Sequence, residues 1–208
     1  MSLHWIIFDM MGVIFEVGDD TGELLIPFIQ KRKPEHCADH IYQLYLKASL
    51  GEITGREFWY TLGFGNEYPE IELEYLDTKL TLDPGFIPVA EQLASHYSLA
   101  ILSNDIGPWS AYLRQKYGLN RLFNAVIISS EVGYRKPDHK IYQILLDRIQ
   151  VPASACVYID DRLKNLHPAG ILGFKTIRFN RAPDTHQFTP DFQIDRFDEL
   201  PAIIKQMT

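Results

Sequence analysis

Four groups of polar residues in this sequence have the types and spacing to do chemistry: Asp9, Ser103-Asn104-Asp105, Arg135-Lys136 and Asp160-Asp161. Asp9 closes the apolar run Trp5-Ile6-Ile7-Phe8 and is followed by the small turn Met10-Met11-Gly12-Val13. Asp160 and Asp161 end a second apolar run, and adjacent like charges repel unless a cation is present. That pair points to a metal. The four groups together fit phosphoryl transfer. Asp9 can attack phosphorus as a carboxylate nucleophile. Mg2+ held by Asp9, the Met11 backbone carbonyl and the Asp160-Asp161 pair would offset repulsion between that nucleophile and an anionic substrate. Ser103 and Asn104 can donate to phosphoryl oxygens, and Lys136 adds a charge that serves both phosphate and Asp9. The amides of Met10 to Val13 can form an anion nest, helped by Gly12.

Each group also has a plain structural reading. Ser103-Asn104-Asp105 ahead of Gly107-Pro108 suits a turn and helix cap, and Lys136-Pro137-Asp138 suits a helix start capped by Asp138. Glu131, Tyr134 and Arg135 flank the lysine loop as rim residues, Arg135 being a candidate contact to a substrate phosphate. The histidines, His139 and His167 among them, show no ligand spacing and read as surface or packing residues. The functional reading gains its weight from placement, which depends on the elements that carry these groups.

Residues 5–9 read as a buried strand, because consecutive apolar residues without helical spacing suit a strand covered on both faces. Residues 16–82 carry no strong strand signal. Helical spacing predicts helices over 34–50, from a capping box at Thr54 and Glu57 through Leu62, and over 69–80. Trp59, Tyr60 and Phe64 are expected in the core of this block rather than against a substrate. From Asp83 onward strands alternate with helices: strands are predicted at 98–103, 125–128, 156–159, 175–178 and 192–194. Helices are predicted at 85–96, 108–117, 138–149, 163–172 and 199–205. Such alternation predicts a doubly wound α/β fold with a parallel sheet. Residues 1–15 and 83–208 would form its core and residues 16–82 a small helical cap. The polar groups then fall at carboxyl ends of consecutive strands, where a parallel sheet binds its ligands.

Composition narrows the partners. The 208 residues are 46% hydrophobic and 23% charged, as in an ordinary globular chain, and the formal charge of -7 disfavours nonspecific nucleic-acid binding. No apolar run approaches the roughly 20 residues of a membrane helix, and the start lacks the pattern of a secretory signal. A cytoplasmic protein is expected, acting on a small phosphorylated molecule with neither nucleic acid nor membrane as partner. Cys37 and Cys156 have no metal-type spacing and are expected as reduced packing residues. No pattern specifies an oligomeric state.

With these residues placed, the whole chain resembles the haloacid dehalogenase superfamily, in the subgroup with a helical cap after the first strand. Phe8-Asp9-Met10-Met11-Gly12-Val13 is similar to its first motif, Leu102-Ser103-Asn104 to its second, Gly133-Tyr134-Arg135-Lys136-Pro137-Asp138 to its third, and Tyr158-Ile159-Asp160-Asp161-Arg162 with Asn165 to its fourth. The resemblance implies a Rossmann-like core and a Mg2+ site in which Asp161 is a direct ligand and Asp160 a second, water-mediated one. The departure is Met11, where phosphatases of the superfamily usually carry a second aspartate as general acid and base. Three readings compete: a Mg2+-dependent phosphatase slowed by Met11 or restricted to good leaving groups, a metal-independent 2-haloacid dehalogenase, and a non-catalytic binding or regulatory protein. The acidic pair weighs against the second, because it would repel a carboxylate substrate without metal.

Overall fold

A computed structural model describes residues 3–207; Met1, Ser2 and Thr208, at the two ends of the expected core, lie outside the described residues. Six strands form one sheet: β1 (Trp5–Phe8), β2 (Ser98–Ser103), β3 (Ala125–Ile128), β4 (Cys156–Asp160), β5 (Lys175–Phe179) and β6 (Phe192–Ile194). All pairings are parallel, in the order β3-β2-β1-β4-β5-β6. The chain steps outward from β1 to β2 and β3, then returns to place β4 on the other side of β1. The strand order therefore reverses between β1 and β4, and a crevice opens there beyond the carboxyl ends. The sheet is the expected Rossmann-like, doubly wound one.

The two faces are covered because strand side chains alternate. Ile6 and Phe8 share one buried layer with Phe86, Ala90 and Leu93 of α5 (Phe86–Ala94) and Leu113 of α6 (Gly107–Lys116). Ile7 points the other way, into a layer with Ile141 and Leu145 of α8 (His139–Ile149) and Leu166 of α9 (Leu163–Leu172). The remaining helices of this part are a short α7 (Ser129–Val132) and a C-terminal α10 (Leu200–Gln206). Among the described residues no helix is long and apolar enough to cross a membrane.

Residues 16–82 contribute no strand to the sheet. They form a π-helical turn at Thr21–Leu25 that runs into α1 (Ile26–Gln30), then α2 (Ala38–Ser49), α3 (Gly55–Thr61) and α4 (Glu70–Lys79). The Thr54–Glu57 capping box is present in both directions. Periodicity predicts no helix from Thr21 to Gln30, because its leading turn is wide and the acidic 16–23 stretch hides its apolar stripe. Trp59 and Phe64 are fully buried in the helical core, as expected, whereas Tyr60 is exposed and meets Tyr68 edge to face.

This block has no core of its own. Its buried aromatics belong to the same apolar layer as one face of the sheet. The joint is Trp109 of α6, whose ring lies 5.5 Å from Tyr75, 5.9 Å from Phe58, 6.0 Å from Trp59 and 6.3 Å from Tyr45. Glu72 of α4 accepts hydrogen bonds from the indole N–H groups of Trp109 at 2.6 Å and Trp59 at 3.0 Å. Where the chain leaves and re-enters the sheet part, Glu16 N donates to Thr81 O at 3.0 Å and Asp83 N to Ile14 O at 3.0 Å. Arg181 pairs with Asp83 and donates to Gly12 O at 3.2 Å, tying both crossings to the turn after β1.

Glu72→Leu removes one acceptor shared by two buried donors. It is expected to destabilise the chain by roughly 1–3 kcal/mol, read as a lower urea midpoint with an unchanged m-value, while Glu72→Gln loses less.

Candidate active site

Every polar group singled out in the sequence lies at the carboxyl end of the sheet. Asp9 directly follows β1 and is held in register because its N–H donates to Ile159 O of β4 at 2.9 Å. Its Oδ1 accepts from Met10 N at 2.6 Å and pairs with Lys136 Nζ at 2.8 Å. Asp9, Asp160 and Asp161 are all buried and offer carboxylate oxygens within 4.8 Å of one another.

Lys136 is the centre of this cluster. Its ammonium group is buried and contacts Asp9 Oδ1 at 2.8 Å, Asp160 Oδ2 at 2.9 Å, Tyr158 OH at 2.9 Å and Leu102 O at 3.0 Å. Its backbone is fixed as well: Lys136 N donates to Asn104 Oδ1 at 2.8 Å, and Asn104 Nδ2 donates to Lys136 O at 2.9 Å. The Asn104 side chain, expected as a phosphate donor, is thus first of all the clamp that positions Lys136. Ser103 is buried at the end of β2 and lines the cleft.

The two acids of the pair differ. Asp160 accepts from Lys136, Tyr158 OH, both approaches of Asn165 Nδ2 at 3.1 Å and Arg162 N at 2.8 Å. Its oxygens are fully occupied, and although burial alone would raise its pKa, Lys136 and the donors hold it below the usual carboxylate range. Asp161 Oδ1 is buried without any hydrogen-bond partner. Burial, followed by the charges of Asp160 and Asp9, raises the Asp161 carboxyl well above the usual range. Burial likewise pushes Asp9 up to about 7 against the pull of Lys136. One lysine therefore pairs with two of three buried carboxylates, and Asp161, which feels Arg162 more than Lys136, keeps an unpartnered oxygen.

The turn after Asp9 corrects one expectation. Met10 N is bonded to Asp9, Gly12 N donates to Phe15 O at 2.8 Å and Val13 N to Met10 O at 3.4 Å. The proposed anion nest is reduced to the Met11 amide. Gly12 instead serves steric needs: it takes φ +80°, and a Cβ there would stand 2.5 Å from the Asp161 carboxyl. Gly18 packs against the same carboxyl, where a Cβ would collide with Oδ2. The bonds that close the turn use the Met10 and Phe15 carbonyls, which leaves the Met11 carbonyl unused.

A cleft of about 380 Å3 opens over these groups. Asp9, Met11, Ser103, Asn104 and Lys136 form its floor, and Tyr42, Tyr45 and Leu46 of α2 form a wall. Tyr45 OH donates to Asn104 O at 3.3 Å, linking that wall to the floor. Asp20 lines the cleft too, its carboxyl pushed up to about 6 by burial. Asp105 lies behind the cleft, not in it; its Oδ2 is buried without a partner, and burial raises its pKa strongly.

Sequence reasoning missed Tyr158 as a site residue. The available signal was periodicity: in a strand, Tyr158 and Asp160 must share a face. It also missed Asp20, Tyr42 and Lys164 on the walls, because these reach the cleft only through the packing of residues 16–82 and α9 around it.

Known proteins similar to this chain include a phosphatase and a dehalogenase. A glyceraldehyde 3-phosphate phosphatase of Methanopyrus kandleri is 32% identical over 146 residues, 64% of this chain and 62% of that protein. An (S)-2-haloacid dehalogenase of a Pseudomonas species is 29% identical over 118 residues, 55% of this chain and 52% of its own length. The chain thus matches between about half and two thirds of the length of these curated relatives. The crystal structure of a HAD phosphatase from Thermococcus onnurineus has the same fold, with a TM-score of 0.72, 24% identity and 98% of each chain covered. The family profile of haloacid dehalogenase-like hydrolases matches residues 3–170, and the chain belongs to that family.

Proposed function

We propose that this chain is a Mg2+-dependent phosphatase of small phosphomonoesters, working through an aspartyl phosphate on Asp9. The observation that carries this reading is the charge deficit on the cleft floor: three buried carboxylates, one lysine and an unpartnered Asp161 Oδ1. Hard oxygen donors without imidazole or thiolate suit Mg2+. Asp9, the Met11 carbonyl and Asp161 would hold it, with Asp160 at most a ligand through water because its oxygens are engaged elsewhere. When bound, Mg2+ would neutralise charge on the phosphoryl oxygens.

The chain's own residues divide the remaining work. Met10 N and Lys136 fix Asp9 through Oδ1, which leaves Oδ2 to form the new bond to phosphorus while the ester oxygen departs with its electron pair. Ser103 and Lys136 stabilise charge on the phosphoryl oxygens. Water then attacks phosphorus and returns Asp9 as a carboxylate. No proton can come from the Met11 thioether, so substrates with good leaving groups are favoured. The residues 16–82 act as a cap, its α2 wall shaping the space for the leaving group.

The relatives also include 2-haloacid dehalogenases, and a non-acid at position 11 suits that chemistry, in which Asp9 would displace halide from carbon. Release of chloride from 2-chloropropionate in EDTA, with no phosphate release from any ester, would replace the phosphatase reading.

Three outcomes test the proposal. Asp9→Asn abolishes Mg2+-dependent phosphate release; full retention sinks the covalent route. Met11→Asp raises turnover of alkyl phosphates by up to about 10²-fold and of aryl phosphates by much less, so equal gains on both would contradict the missing-proton argument. The third is thermal. Asp9 and Asp20 bind protons more tightly folded than unfolded, at about 7 and about 6 against 3.8. Their stabilising contribution is present at low pH and lost as pH rises through those values. Melting in EDTA should show Tm falling between about pH 5 and pH 7.5, and Mg2+ should raise Tm more at the upper end.

A further inference from the structure

The cleft carries more positive charge than its reaction centre uses. Lys136 is engaged by Asp9 and Asp160, yet Arg135, Arg162 and Lys164 line the same cavity in a chain of net charge -7. Lys164 stands in the first turn of α9, and among the described residues its ammonium group makes no hydrogen bond and no ion pair. Partial burial and then the neighbouring Arg162 and Arg135 charges lower its pKa, so the three cations lie within one another's field. Arg162 donates to Gly18 O at 2.6 Å, has a loose contact to Asp19 at 3.6 Å and lies in the field of Asp161 and Asp9. Arg135 hydrogen-bonds Ser49 Oγ and lies over the Tyr45 ring, and among the described residues no carboxylate pairs with it.

Three converging cations on a partly shielded wall repel one another unless an anion joins them. Among the described residues the nearby carboxylates do not reach Lys164 or Arg135 as ion pairs. Asp161 and Asp9 face Arg162 from the reaction centre, Asp160 is paired with Lys136, Asp19 is exposed, Asp20 is buried on the wall, and Asp184 caps α9 through Leu163 N at 2.7 Å. The reaction centre and this wall open into one cavity of about 380 Å3, the size of a small-molecule site.

We propose that Lys164, flanked by Arg162 and Arg135, is a second anion subsite, taking the far end of a small phosphomonoester that carries another anionic group, a carboxylate or a second phosphate. This deepens the phosphatase reading and rests on it for the position of the reacting phosphate.

The test separates binding from turnover. Calorimetry on the Asp9→Asn protein with Mg2+ compares propyl phosphate with its analogues ending in a carboxylate or in a second phosphate. An analogue that fills the subsite should bind about tenfold tighter than propyl phosphate, and which analogue gains identifies the anion. Lys164→Met should weaken that analogue about tenfold more than propyl phosphate, and Lys164→Arg should retain most of the gain. Equal affinity for all three compounds, or a gain that survives Lys164→Met, overturns the subsite. Phosphate release by the unaltered protein is read separately: no hydrolysis of these esters or of p-nitrophenyl phosphate removes the phosphatase reading, whatever the binding series shows.

Discussion

The buried ammonium group of Lys136 is the constraint on which the rest of the site depends. It joins β1, β2 and β4 at the point where the strand order reverses, through Asp9, Leu102 O, Tyr158 and Asp160. Its charge is not shared evenly. Asp160 collects four further donor contacts and is held ionised, whereas Asp9 has only Lys136 and Met10 N and is pushed up by burial. Lys136 is thus balanced chiefly by Asp160, and Asp9 is left as the carboxylate that still calls for a cation. Removing one partner from such a buried network costs about 3–5 kcal/mol, which explains why Asn104 fixes the lysine backbone from both sides.

The helical segment is constrained by a second device, the aromatic socket around Trp109. Because Trp109 belongs to α6, directly after the Ser103-Asn104 loop, whatever seats its indole also sets where α2 meets the cleft. Tyr45 takes part in both contacts: its ring faces Trp109 and its hydroxyl reaches Asn104 O. Substrate space and the lysine clamp are therefore coupled through one tyrosine. Large separation of the two parts would expose apolar rings that now share a single core, so adjustment of the cleft is expected to be local and to run through the Arg181–Asp83 staple at the chain crossings.

Much of this was legible in the sequence because the determinants are local. Strands 98–103, 125–128 and 192–194 and helix 163–172 have the boundaries that apolar runs and caps predict, and Asp9, Lys136, Asp160 and Asp161 do converge on one cluster. What was not legible depends on relations between distant residues. The amides of the first turn were counted as donors to an anion, but the chain closes that turn on itself through Phe15 O. Asp160 and Asp161 look equivalent as letters, yet alternation in β4 sends Asp160 towards Lys136 and the end of the strand leaves Asp161 against Gly12 and Gly18. Nothing in the sequence marks Lys164, and only the packing of α9 puts it beside the cleft.

Met11 and the cationic wall are best understood together. A thioether at position 11 supplies no proton, so the barrier to leaving-group departure is higher than in a site with an acid there. Binding energy from a remote part of a substrate can be used at the reacting centre, provided it is realised more fully in the transition state than in the ground state. A second anion held at Lys164 would anchor the leaving group at its far end while Asp9 and Lys136 hold the phosphoryl group, and that fixes the line of displacement. In the proposed reaction the positive wall would also lower the free energy of negative charge that builds on the departing fragment. On this view the wall supplies electrostatically part of what Met11 withholds by proton transfer, and the substrates that gain most are those whose leaving group is itself an anion.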